Sequence, residues 1–327
     1  FTDVNINNNY QAVPMTGLVK GFLKKTEEKK LYVSAAQIRK EGQVIDEWTR
    51  FPGKPRFEAY SISKTFAAAG VGIAIKEGLI TLDDRIVDSF PEESYDIINE
   101  NALKITVRDL LTMTSGVSER MLRRAGYEQN HERDWVRYFF KHAPFLNEPG
   151  TTFLYNNANA YILGCLIEKK SGQNLREYLR YRLFEPLEIH NVEWTSCPMG
   201  HTIAANALQL SVDEVGNFGQ LLLNKGVYKG KRILPEAFID DMLVPHYEST
   251  EFVPNDPPVK AGYGYQIWID EANDLVFMWG ILGQYCILIP KKNVVISVLS
   301  LEPTDEMGHE MYPLSPLRQI IWKELVM

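Results

Sequence analysis

The chain has 327 residues, 24% of them charged and 45% apolar, enough to bury a large core in one large domain or two intimate ones. Its net charge of −7 excludes a broad basic footprint for nucleic acid, and Lys24-Lys25 with Lys29-Lys30, interleaved with Glu27-Glu28, reads as a solvated helix face. Cys165, Cys197 and Cys286 are few, odd in number and without metal-ligand spacing, so neither a disulfide framework nor a zinc site is indicated. Cys165 and Cys286 lie in apolar runs, as small buried hydrophobes do. No apolar stretch is long enough to span a membrane. The expectation is a cytoplasmic protein with no metal and no cofactor; nothing in the pattern carries its oligomeric state.

In chain order, Phe1–Gln11 is Asn-rich and polar, an arm laid on the surface. Val19–Lys30 has helical spacing, and Leu31–Gln37 and Gln43–Thr49 read as strands separated by the turn at Gly42. After the break at Pro52-Gly53-Lys54-Pro55, an Ala-rich helix is expected from Ser61 to Lys76, closed by Gly78. Helical signals dominate from Leu79 to about Pro198. Thr106-Val-Arg-Asp109 and Ser211-Val-Asp-Glu214 have the spacing of capping boxes. Further helices are expected over Asp134–His142, Asn159–Lys170, Leu175–Leu183 and Pro235–Leu243. After Pro258 the period becomes that of strands: Tyr263–Ile269, Leu275–Gly280, Gln284–Ile289 and Val294–Leu299, followed by a terminal helix, Leu317–Val326.

This order predicts an α+β fold, one antiparallel sheet built from both chain ends and flanked by helices, with a mostly helical region inserted. The expected division is 1–78 with 205–327 for the sheet unit and 79–204 for the insertion, with a site in the cleft between them.

Three elements could carry chemistry. Ser61 and Lys64 form the sole Ser-x-x-Lys, and residues three apart share a helix face. The pair is a nucleophile with its base, or else a helix cap beside a solvated lysine. Tyr155-Asn156-Asn157 follows the Pro149-Gly150 turn and precedes a helix, so its side chains are displayed at a junction; a core aromatic and a capping asparagine would look the same. The late strand Phe277–Tyr285 bears Gly280, which permits close backbone approach, although Trp279 could equally be core and the glycine a strand end.

Together, in this order, the three resemble the serine β-lactamase and penicillin-binding-protein superfamily. The likeness is to its Tyr-x-Asn branch: ampC-like β-lactamases, D-Ala peptidases, β-lactamase-like carboxylesterases and 6-aminohexanoate-dimer hydrolases. It runs from about Leu31 to Leu299 and includes Leu79–Asp84, Leu110–Gly116, Glu148–Tyr155 and Asn217–Gly226. The resemblance implies Ser61 as acylated nucleophile, activated by Lys64 and Tyr155. Asn157 would position Lys64 or a substrate carbonyl. The backbone N–H groups of Ser61 and Ile281 would form the oxyanion hole.

Penicillin-recognising members usually carry Lys-Thr-Gly or His-x-Gly on the late strand. Here the triplet is Met278-Trp279-Gly280, or Trp279-Gly280-Ile281 in the neighbouring register, and neither supplies a cation for a substrate carboxylate. Trp-Gly resembles the esterases, and Gly-Ile-x-Gly-Gln the 6-aminohexanoate-dimer hydrolases. Met113 stands where many members have His. The expectation is a metal-independent serine hydrolase of small esters or amides; the alternatives are a β-lactamase or D-Ala-D-Ala carboxypeptidase, or a non-catalytic binding or sensing protein. Its partner would be a small-molecule ester, amide or lactam, in a pocket shaped by Tyr127–Phe145 and His246–Pro258.

Overall fold

The computed structural model describes residues 17–123, 132–249, 258, 260–301 and 315–326. The N-terminal arm, and the parts of the two expected pocket stretches at 127–131 and 250–257, lie outside the described residues. The helical patterns become α1 (Gly17–Glu28), α2 (Ser63–Lys76), α3 (Glu100–Lys104), α4 (Val107–Leu111), α5 (Trp135–His142), α6 (Asn157–Ser171), α7 (Leu175–Leu179), α8 (Val212–Leu223), α9 (Glu236–Met242) and α10 (Pro316–Ile321). Local chemistry sets their ends. The Thr106 and Ser211 hydroxyls accept the N–H groups of Asp109 and Glu214, whose carboxylates accept the cap residues' own N–H groups. Two reciprocal capping boxes therefore open α4 and α8. Gly172, at φ +70°, closes α6 in the left-handed conformation.

The strands are β1 (Val33–Lys40), β2 (Gln43–Thr49), β3 (Phe57–Glu58), β4 (Gln209–Leu210), β5 (Val227–Tyr228), β6 (Lys231–Arg232), β7 (Tyr247–Glu248), β8 (Gly262–Tyr263), β9 (Trp268–Asp270), β10 (Leu275–Gly280), β11 (Gln284–Ile289) and β12 (Val294–Ser300). Eight of them form one antiparallel sheet in the order β2-β1-β12-β11-β10-β9-β8-β7. The two chain ends meet where β1 pairs with β12, Ile38 opposite Ile296. The resulting fold is α+β.

Both faces of the sheet are covered, which is why its central strands are apolar at nearly every position. Val276, Met278, Cys286, Leu288, Val295 and Leu299 point to the larger core. Phe277, Tyr285, Ile287, Ile296 and Val298 point to the smaller core, which α1 and α10 close. Helix α8 packs on β1, β11 and β12. Each large aliphatic or aromatic side chain withdrawn from water contributes about 1.5–3 kcal/mol.

Helix α2 is enclosed along most of its length, with Ser63 through Ala74 buried. Its alanines and glycines let neighbours close in: a methyl on Gly72 would lie 2.6 Å from the Phe238 ring. Phe66 stacks on Phe218 at 3.7 Å between ring centres. This helix is the scaffold on which the Ser61 turn is mounted.

Three expectations need correction, the first being Leu175–Leu183, which is α-helical only to Leu179 and continues as a π-helical turn over Arg180–Phe184. Tyr263–Ile269 is not one strand but the short β8 and β9 around a tight turn. Gln266 takes φ +57° there, and its side-chain amide donates to the Leu110 and Leu111 carbonyls. Its own carbonyl accepts the Thr65 hydroxyl at 2.7 Å. The ties to α4 and α2 outweigh continuation of the ladder. The terminal helix is α-helical only to Ile321 and widens into a π-helical turn over Trp322–Val326. Among the described residues no helix is long and apolar enough to cross a membrane, and no group of three or more His, Cys, Asp or Glu could hold a metal ion.

Candidate active site

The expected helix start at Ser61 is a 3-10 turn, Tyr60–Ile62, that feeds directly into α2. Tyr60 takes φ +46°, a left-handed conformation disfavoured for residues with a Cβ and concentrated at functional sites. The capping alternative fails, because no side chain caps either the turn or α2; Ser63 instead accepts the Leu208 N–H. The solvated alternative fails too, since Lys64 is 1% exposed.

Lys64 Nζ lies 2.8 Å from Ser61 Oγ and 2.8 Å from the Ala205 carbonyl oxygen. Burial is what acts on its ammonium, pushing the pKa from 10.5 down to about 7. Near neutral pH, then, this amine is present in both protonation states. Ser61 is only partly buried, so the pair opens outward at its hydroxyl end.

Tyr155 reaches the same place from the segment just before α6. Its ring centre is 5.0 Å from Lys64 Nζ, and it stacks on Trp268 at 5.3 Å and 22°. Tyr263 meets its edge at 6.0 Å. Phe153, Tyr263 and Trp268 continue as an aromatic wall, which Trp279 extends at 6.3 Å from Trp268.

Asn157 sits beside this group but turns its amide to the Leu122 carbonyl, 3.0 Å away. The Lys64 acceptor opposite Ser61 is the backbone of Ala205. Asn156, between the two motif residues, is wholly engaged: its Oδ1 accepts Met121 N–H and Ala158 N–H, and its Nδ2 donates to the Glu119 carbonyl.

Gly280 ends β10 against the Ser61 turn. A methyl there would lie 2.5 Å from the Ala59 carbonyl oxygen and 3.1 Å from Tyr60 Cβ, so only a glycine admits this approach. Ile281 follows in a turn whose next residues, Leu282 and Gly283, have φ +63° and +86°. Gln284 ties that turn to β12 by donating to the Ser300 carbonyl at 2.7 Å and accepting the Ser300 N–H at 3.3 Å. Trp279 points to the opposite face, where the Arg318 guanidinium of α10 lies 4.9 Å from its ring centre. Burial pushes that guanidinium down to about 9.

Ser61, Lys64, Tyr155 and Gly280 are thus gathered at one place from three separate parts of the chain. Ala205 escaped sequence reasoning because a carbonyl leaves no mark on residue type. Trp268 and Tyr263 carried only a strand signal.

Residues 23–313 match the family model described as Beta-lactamase. Among proteins of similar sequence is a beta-lactamase of Escherichia coli (strain K12), 31% identical over 142 residues, 43% of this chain and 35% of that protein. The chain therefore spans about a third of the length of the curated relatives it matches. Among solved structures, a Bacillus anthracis protein provisionally named a 6-aminohexanoate-dimer hydrolase superposes with a TM-score of 0.74, at 22% identity over 92% of this chain and 79% of that one. EstCE1, a hydrolase with promiscuous acyltransferase activity, superposes with a TM-score of 0.73, at 17% identity over 93% of this chain and 97% of that one. At these identities the structural likeness is one of fold.

Proposed function

This chain belongs to the beta-lactamase family, and on that premise we propose that it is a serine hydrolase cleaving small esters or amides through an acyl-serine intermediate. The observation that carries the reading is the 2.8 Å contact between Ser61 Oγ and a buried Lys64 whose pKa lies at about 7. A serine hydroxyl needs a partner to take its proton, and an amine of that pKa is available as a base at neutral pH. In its neutral form Lys64 accepts the Ser61 O–H and donates to the Ala205 carbonyl.

Ser61 Oγ attacks the acyl carbon as its proton passes to Lys64. The Ser61 and Ile281 N–H groups receive the oxyanion, an arrangement supported by the contact of Gly280 with the Ala59–Tyr60 turn. Tyr155, beside Lys64, relays the proton to the leaving group. Water then attacks the acyl-serine by the reverse path. The substrate enters between the sheet unit, 1–78 with 205–327, and the helical insertion, 79–204. Tyr155, backed by the buried Trp268, offers its apolar part an aromatic surface.

A second reading, β-lactamase or D-Ala-D-Ala carboxypeptidase, draws on the Beta-lactamase family match over residues 23–313; Arg318, buried behind Trp279 on the far face of the strand, does not supply the missing cation. A panel of short-chain aryl esters, D-amino-acid amides and nitrocefin, run on the wild type and Ser61→Ala, decides between them. The expected result is ester turnover with fluorophosphonate labelling at Ser61, both lost in Ser61→Ala. Ester turnover retained in that variant sinks the proposal. Nitrocefin turnover exceeding ester turnover selects the second reading.

A further inference from the structure

Helix α6 begins differently from α4 and α8. In those two helices the third residue is an acid that accepts the cap residue's N–H. In α6 the cap is Asn156 and the third residue is Asn159, whose carboxamide is turned away: Oδ1 accepts the Ser115 hydroxyl at 3.0 Å, and Nδ2 donates to Met113 Sδ at 3.5 Å. The Asn156 N–H goes to that same sulfur, at 3.3 Å. The Met113 carbonyl oxygen meanwhile accepts the Leu154 N–H at 2.9 Å. One residue therefore holds the backbone on both sides of Tyr155.

Met113 is itself fixed. It is 1% exposed and takes φ +62° at the end of α4. Thr114, which follows it, accepts the Gly150 N–H through its own carbonyl. A thioether is a weak acceptor, but within a buried site an N–H without any acceptor carries its full desolvation cost. An unbranched side chain can also thread to the helix start where a branched one could not.

We propose that Met113 is a positioning residue: its sulfur takes the place of a capping carboxylate and sets the direction in which Tyr155 presents its hydroxyl to Lys64 and Ser61. This rests on the serine-hydrolase reading for its kinetic consequence, but not for its structural one. Met113→Leu keeps the volume and removes the acceptor; Met113→Gln keeps an unbranched chain and restores one. In Met113→Leu the Asn156 amide should exchange with solvent about tenfold faster, in line with the net worth of one hydrogen bond. The Tyr155 Cζ resonance, followed with ring-labelled tyrosine, should shift. The kcat on the ester should fall about tenfold or more, as for a misplaced reacting group, with KM within twofold and the pH profile displaced. Met113→Gln should return all four towards wild type.

Wild-type exchange at Asn156 in Met113→Leu overturns the proposal, as does faster exchange with unchanged Tyr155 resonance, kcat and pH profile. Ester turnover surviving in Ser61→Ala would defeat the hydrolase reading instead, and the exchange and resonance measurements would still decide the role of Met113. If Met113→Leu melts far below wild type, replacement of methionine by norleucine exchanges only sulfur for CH2 at this position, and the Asn156 and Tyr155 readouts are taken there.

Discussion

Lys64→Met offers the sharpest test of how this site is built. At about 1.4 kcal/mol per tenfold change in proton affinity, displacing the ammonium from 10.5 to about 7 makes its charged form about 5 kcal/mol costlier in the folded than in the unfolded chain. Below pH 7 both states are protonated and the folded protein bears the whole cost. Between pH 7 and 10.5 the folded state has released a proton that the unfolded state still holds, so stability rises with pH. Above 10.5 both are neutral and the cost is gone. Methionine fills the same space without titrating. The bonds it forfeits at Ser61 and Ala205 shift its stability by an amount that varies little with pH. Relative to Lys64→Met, the wild type should therefore gain about 4 kcal/mol between pH 6 and pH 10. Urea unfolding of both proteins across that range at fixed ionic strength measures the difference. A difference that stays flat, or shrinks as pH rises, refutes the argument that burial depresses this lysine.

Gly280→Ala places a methyl 2.5 Å from the Ala59 carbonyl oxygen, a backbone atom that cannot yield without moving the Ser61 turn. Its kcat/KM should fall about a hundredfold with a loss of about 1–3 kcal/mol in urea unfolding; wild-type kcat/KM would mean that the close approach is not needed. Tyr155→Phe keeps the stacking on Trp268 and should melt near the wild type, while kcat falls about 100- to 10,000-fold. A kcat within threefold of wild type would remove Tyr155 from proton transfer.

The features legible in the sequence are those in which residue type itself does the physical work. Ser-x-x-Lys marks two side chains that meet where a 3-10 turn enters α2, the capping boxes of α4 and α8 follow from a hydroxyl and an acid three apart, and Gly172 marks a left-handed ending. The strands β10, β11 and β12 were readable because burial on both faces makes them apolar at nearly every position. What stayed hidden depends on groups common to every residue or on long-range partners. The Ala205 carbonyl is one such group. Gln266 breaks an apparent strand because Leu110 and Leu111, more than 150 residues earlier, require its amide. Met113 stood out as a departure from the related proteins, but its sulfur acquires a role only once α6 lies beside it.

The pairing of β1 with β12 also sets a timetable. On the ribosome, Lys40 ends the first of these strands long before Val294 begins the other, and at 5–20 residues per second the interval is roughly ten to fifty seconds. For that time the apolar edge of β1 has only β2 beside it, and an unpaired edge is a template for association with other chains. Gly280, which closes the site against the Ser61 turn, is also synthesised late. Ser61 is thus made well before Gly280, and its turn waits for that segment before the close approach can form. The edge of β1 is most exposed to association during this interval, so a holdase that covers β1 until β12 arrives should raise the yield of folded protein without altering its final stability.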